Sequence, residues 1–311
     1  MIKCIEFMNE QGMLLENEYL QAVILPNRGG KAASLFCKET KMEILFQNPK
    51  GKYEEASLGS DFSKFEACGF DEAFPNVDAE VLEWNGRRLN YPDHGEIWSS
   101  AFIAEASEGQ IKLTYFSKEF QYRYEKTFSL DGKRLNCSYK IVNTGRTELP
   151  CIWTMHCLVN TTPKMQLIFP PDTERVQNVF DCALLDKAET IYAFPEDRIN
   201  GKSYRFDRMP GRDMVKYYVA GAVQKGYCGY DYPETNTSVR ILYDEKKLPY
   251  LGCWITEGGY RGDKNCALEP CTGYYDSIGT AKRLMGSVPV LRPGIPFEFS
   301  VAIEAGCLKK N

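Results

Sequence analysis

The sequence predicts an all-β protein: one large antiparallel domain over residues 1–311, built from stacked sheets, with few short helices. Three observations carry this expectation. Between Gln110 and Val142 three strand-like stretches follow one another, and in Gln121–Phe128 polar and aromatic residues roughly alternate, as on a half-exposed strand. The dipeptides Asn85-Gly86 and Asp131-Gly132 stand between such stretches, and Asn-Gly is the strongest short hairpin signal because both residues tolerate positive φ. Finally, 16 Pro and 25 Gly punctuate the chain about as often as a multi-stranded sandwich needs, while helical periodicity is scarce.

Taken in chain order, Val81–Asn90 reads as a hairpin about Asn85-Gly86. The stretches Ile111–Phe116, Phe120–Leu130 and Arg134–Val142 follow as strands, the last two joined by a tight turn at Asp131-Gly132. Cys151–Val159 is apolar on both faces, which places it inside the sandwich. Met165–Phe169, Ser238–Tyr243, Tyr250–Ile255 and Pro296–Ala305 complete the strands. Helix is expected only at Phe180–Ile191, with a turn or two in Ser60–Glu66. Across residues 170–233 the strand signal fades into Asp-, Arg-, Pro- and Gly-rich sequence, the pattern of a loop excursion that helps to wall a cleft. No linker, low-complexity tract or internal repeat divides the chain.

Composition narrows the function classes. A net charge of −4 with no basic run gives no attraction to nucleic acid or anionic lipid, so neither is an expected partner. No uncharged apolar run reaches the roughly 18 residues needed to span a bilayer. Met1–Glu10 lacks a signal-peptide pattern, so the expected location is cytoplasmic and the 12 cysteines are expected as reduced thiols packing as small hydrophobes. No Cys-x-x-Cys pair occurs and Cys266 and Cys271 do not have a zinc spacing, so no metal is expected.

Only two histidines occur, each in a setting that suits a catalyst. His94 lies in the polar, turn-forming Tyr91–Trp98, and His156 in the nearly apolar Cys151–Val159, on one face with Ile152, Thr154 and Leu158. An imidazole there is either a hydrogen-bonded core residue or the floor of a cleft. Gly29-Gly30 beside Arg28 and Lys31 reads as a β-turn and not as a phosphate loop. Gly69–Asp78 sets carboxylates among aromatic residues, either as a solvated loop or as acceptors for sugar hydroxyls beside Phe70 or Phe74. Glu269 follows apolar Cys266-Ala-Leu268 and precedes Pro270. It reads either as a turn cap or as a partly desolvated general base, because desolvation raises a carboxyl pKa.

Together, Leu25–Gly30, Gly69–Pro75, Asp93-His-Gly95, the His156 strand, Leu248–Trp254 and Ala267–Gly273 resemble, in this order, the aldose 1-epimerase family of the galactose mutarotase-like superfamily. The resemblance implies a large antiparallel β-supersandwich with a concave sugar cleft. The implied enzyme is an isomerase that interconverts the α and β anomers of a free aldose and needs no cofactor. On the matching positions Glu269 would be the general base and His156 the general acid, with His94 assisting at the ring oxygen. Arg28, Asp71, Glu72, Trp98 and Trp254 would bind the substrate, and the chain would act as a monomer or homodimer. Gly69–Pro75 is not the Asn-Arg-containing stretch of galactose mutarotases proper, which points the resemblance to a divergent bacterial branch and away from galactose. Three competitors have their own signatures. A hexose-6-phosphate 1-epimerase would gather at least two of Arg28, Lys31, Arg87, Arg88 and Arg261 at the cleft mouth. A carbohydrate-binding or sensor domain would hold His156 and Glu269 too far apart to flank one ring. A glycosidase or lyase would set a second carboxylate, Asp71, Glu72 or Asp276, opposite Glu269.

Overall fold

The structure, a computed structural model, describes residues 1–309. Two antiparallel sheets, of 13 and 8 strands, bury one continuous apolar core between them. The smaller sheet contains the strands the sequence makes plainest: Gln110–Phe116, Tyr122–Asp131, Arg134–Asn143, Thr237–Tyr243 and Pro296–Cys307. Where it meets the larger sheet, Tyr139, Trp153 and Phe299 pack with ring centroids 4.7–4.9 Å apart. The buried Trp153 Nε1 donates to the Tyr124 hydroxyl at 2.7 Å, so no polar atom of that indole is stranded.

The centre of the larger sheet is assembled from distant parts of the chain. Lys31–Cys37, Phe70–Ala73, Thr154–Cys157, Lys264–Cys271, Tyr250–Glu257 and Asp213–Val219 lie side by side in that order. Their register aligns single residues across the sheet. Thr154 faces Cys271 and Val159 faces Cys266, the same register on both sides, which sets His156 opposite Glu269. Asp71 pairs with His156, Glu269 with Gly252, and Gly252 with Tyr218. Because side chains alternate between faces, Asp71, His156, Glu269 and Tyr218 project from one face in a row. Two residues along, Ala267, Trp254 and Lys216 form the next row on that face.

The structure corrects three local expectations. Phe180–Ile191 is not helical: Arg175–Asn178 and Ile191–Ala193 pair as strands, and turns fill the interval. The Asn178 amide donates to the carbonyls of Phe180 and Lys187, and Asp181 accepts from the Ala188 amide. Such side-chain bonds to the backbone compete with a helical ladder. Residues 170–233 are not an irregular excursion either, since they also hold Glu196–Ile199, Lys202–Arg205, Asp213–Val219 and Tyr227–Tyr232. The α-helix lies instead at Ile278–Met285, started by the Ser277 hydroxyl on the Thr280 amide and stopped by left-handed Gly286. Among the described residues no helix is long and apolar enough to cross a membrane.

Candidate active site

On that face of the larger sheet lies a cavity of about 320 Å³, lined by His156, Glu269, Lys216 and Trp254 from the strands and by Phe62, Asp78, His94, Tyr260 and Asp276 from loops, among others. The size is at the lower end of small-molecule pockets.

His156 is 8% exposed and bonded at Nδ1 to Asp71 Oδ1 at 2.8 Å. Burial opposes ionisation of Asp71, but Lys31 Nζ at 3.1 Å and His156 outweigh it and hold the carboxyl well below the ordinary range. An ionised carboxylate only accepts, so Nδ1 carries a proton and Nε2 is the nitrogen left for the cleft. Glu269, 1% exposed, sits in the neighbouring strand. Burial raises its pKa, with Lys216 and His156 pulling in the other direction. Its Oε2 has no hydrogen-bond partner within the protein. Gly252 makes room for this carboxylate: a Cβ there would lie 3.1 Å from Oε2 and 3.1 Å from the Tyr218 ring.

His94 reaches the cleft through a sharp backbone feature. It has φ 55°, and Gly95 follows at φ 70°, where a Cβ would fall 2.0 Å from the Phe74 carbonyl oxygen. Glycine alone fits that position. Asp93 Oδ1 holds His94 Nδ1 at 2.8 Å, while Asp93 Oδ2 accepts from the Phe62 amide at 3.1 Å. Phe62 thereby stacks on His94 with ring centroids 3.8 Å apart, and meets His156 in a T-shape with centroids 5.4 Å apart. The two imidazoles stand 5.3 Å apart. Burial, against the pull of Asp93, depresses the His94 pKa, so the ring is neutral at pH 7. With Nδ1 protonated, its Nε2 is a hydrogen-bond acceptor.

Opposite the histidines, Lys216 Nζ lies 2.9 Å from Asp276 and 3.5 Å from Glu269. Burial works against this ammonium, but the two carboxylates outweigh it and raise its pKa. The Tyr218 hydroxyl donates to Asp276 at 2.8 Å. Asp78, facing Asp276, is pushed up to about 6 by partial burial and by that charge.

Of the residues expected from sequence, the structure brings His94, His156, Glu269 and Trp254 to the cavity. Trp254 Nε1 donates to Asn265 at 3.1 Å, which fixes the indole as a wall. Asp71 stands behind His156, fully engaged by it and by Lys31. Trp98 supports the site from outside, packing edge-on against Phe62 at 5.0 Å and donating to the Asp93 carbonyl at 3.2 Å. Glu72 and Arg28 are not brought to the cleft. Strand alternation turns Glu72 to the face opposite Asp71, where Lys126 at 2.6 Å and the Tyr139 hydroxyl at 2.8 Å bind it in the core. Arg28 is anchored to Glu10 at 2.5 Å and to the Glu54 carbonyl at 2.7 Å. Asp78, the last carboxylate of the Gly69–Asp78 stretch, also lines the cavity, whereas Lys216, Phe62 and Tyr260 were missed. Lys216 did carry a signal, being a lone cation in the apolar run Met214–Val219, as His156 is a lone imidazole in its own.

No protein-family model matches the chain, and no curated protein matches its sequence. Solved structures do. The Slr1438 protein from Synechocystis sp. PCC 6803 aligns with a TM-score of 0.73 at 14% identity, over 98% of this chain and 99% of its own. A candidate aldose 1-epimerase from Escherichia coli K12 gives 0.72 at 16% identity, over 95% and 98%. A galactose mutarotase-like protein from Lactobacillus casei gives 0.70 at 15% identity, over 95% and 100%. In its fold, this chain is a galactose mutarotase-like β-sandwich.

Proposed function

We propose that the protein is an aldose 1-epimerase acting on a free, uncharged aldose. One observation carries the reading. A carboxylate-backed imidazole and a buried carboxylate with an unbonded oxygen stand opposite each other on neighbouring strands, in a cavity near the lower limit for a small ligand. Directly opposed residues of antiparallel strands have Cβ atoms about 5 Å apart, close enough to flank one sugar ring.

In this mechanism the Glu269 carboxylate removes the proton from the C1 hydroxyl while His156 Nε2–H protonates the ring oxygen. The C1–O5 bond breaks to give the open-chain aldehyde. Rotation about C1–C2 and the reverse transfers close the ring on the other face, returning both protons. Asp71 orients the His156 ring and stabilises the imidazolium that acid catalysis requires. His94 accepts from a sugar hydroxyl, and Phe62 and Trp254 offer apolar faces to sugar C–H groups. Two positioned groups, at about 10²–10⁴-fold each, suffice for a reaction that already proceeds slowly in water.

The charge of the cleft supports an unphosphorylated substrate. None of Arg28, Lys31, Arg87, Arg88 or Arg261 lines the cavity, and the Lys216 ammonium that does is committed to carboxylates. Polarimetry on freshly dissolved single anomers, across a panel of aldoses and their 6-phosphates, tests the reading. Faster mutarotation of at least one free aldose, with little effect on the phosphates, is expected. Acceleration confined to the phosphates would overturn the substrate class, and no acceleration at all would overturn the activity.

A further inference from the structure

The base Glu269 poses a problem that His156 does not solve. Burial of a carboxylate favours its neutral form, yet a general base must be ionised before it can act. The cation beside it is Lys216, two residues from Tyr218 on the strand Asp213–Val219. Its position is unequal between its two carboxylates, 2.9 Å from Asp276 and 3.5 Å from Glu269. Asp276 is in turn fixed by the Tyr218 hydroxyl at 2.8 Å. The ammonium, closer to Asp276, gives Glu269 Oε2 Coulombic support from 3.5 Å. An ammonium has three donors. One serves Asp276, and Lys216 also lines the cavity, where a ligand hydroxyl can meet another.

We propose that Lys216 is a positioning residue for the base: held on Asp276, it keeps Glu269 an ionised acceptor and offers a further N–H to a sugar hydroxyl. The adjacent Asp276 carboxylate accepts from a neighbouring hydroxyl, so the pair forms a donor–acceptor clamp for a diol. This inference rests on the epimerase reading for the identity of the ligand, but the ion-pair role of Lys216 stands apart from it. The other groups facing Glu269 are His156 from the adjoining strand, Tyr218 beyond Gly252, and the thiols of Cys157, Cys253 and Cys271, whose pKa values burial raises. None of these thiols or the Tyr218 phenol is charged at pH 7, so Lys216 and His156 are the groups that lower the Glu269 pKa.

The experiment follows the carboxyl of Glu269 in the intact protein by ¹³C NMR, with Glu labelled at Cδ and the resonance assigned by its loss in Glu269→Gln. In Lys216→Met the titration midpoint is expected to rise by about 1–3 pH units, the usual effect of an opposite charge at this range. Lys216→Arg is expected to restore it. The double variant Lys216→Met/Asp276→Asn removes both charges together and serves if the single variant folds poorly; its rise is smaller, because Asp276 by itself raises the Glu269 pKa. In turnover, the acid limb of kcat/KM moves up by the same amount and KM rises at least tenfold in Lys216→Met. An unmoved midpoint in both Met-containing variants would overturn the proposal, even with turnover intact. Absence of turnover in the wild type would instead overturn the epimerase reading, while the titration still decides the role of Lys216.

Discussion

Asp71 and Asp93 each hold an imidazole through Nδ1, at 2.8 Å in both cases, but the two pairs sit in different surroundings. Asp71 is also the counter-ion of Lys31, itself only 4% exposed. Replacing Asp71 with Asn therefore strands a buried ammonium, and urea unfolding is expected to show a loss of about 3–5 kcal/mol. Because the folded-state pKa of Asp71 is depressed, its contribution is fully present above the unfolded value of about 4 and is lost as pH falls below it. The wild type should thus lose stability on acidification in that window more steeply than Asp71→Asn. A stability–pH curve for the two proteins checks this, and parallel curves would contradict it. His94 is neutral at pH 7, and under the proposed function, where it accepts from a sugar hydroxyl, His94→Ala should raise KM more than it lowers kcat.

At the scale of elements, two glycines shape the site. Gly95→Ala must displace the Phe74 carbonyl and move the His94 turn, so thermal unfolding should fall by several degrees and turnover should drop with it. Gly252→Ala presses on Glu269 Oε2 and the Tyr218 ring at 3.1 Å, which should impair turnover more than stability. Steady-state kinetics beside a melting curve separate the two cases. These elements also show what could be read in advance. The hairpin Glu80–Trp84 to Arg87–Tyr91 was legible because Asn85 and Gly86 both take positive φ, and the three strands from Gln110 to Asn143 because their alternation is local. His94, His156 and Glu269 stood out as polar residues against apolar or turn-forming neighbours. Lys216 stood out in the same way, but its place beside Glu269, like that of Phe62 on His94, is set by contacts distant in the chain, which no local pattern specifies. Glu72 was misplaced for a related reason: a one-residue difference in a strand decides the face, and the flanking sequence looked alike on both. The helix Ile278–Met285 was marked by Ser277 and Gly286, but at eight residues it is too short to stand out from turn sequence.

The whole molecule is pinned by a buried ion pair between its sheets. Glu72 from the larger sheet and Lys126 from the smaller are both 0% exposed, with Tyr139 and the Gly29 carbonyl completing their bonds. Lys126→Met should cost about 3–5 kcal/mol, measured by chemical denaturation, because it leaves an uncompensated charge. Changing Glu72 to Met as well should recover most of that loss, and failure to recover would mean the pair adds more than charge neutrality. The same two-sheet frame holds the face of the larger sheet from which His156 and Glu269 line one cavity. Two-dimensional exchange NMR on equilibrated anomers tests the central claim most directly, comparing wild type with Glu269→Gln and His156→Ala on one accepted aldose. The account predicts exchange cross-peaks that grow with wild-type enzyme and a rate lowered about 10²–10⁴-fold by either substitution. Exchange that persists at the wild-type rate in both variants would contradict it.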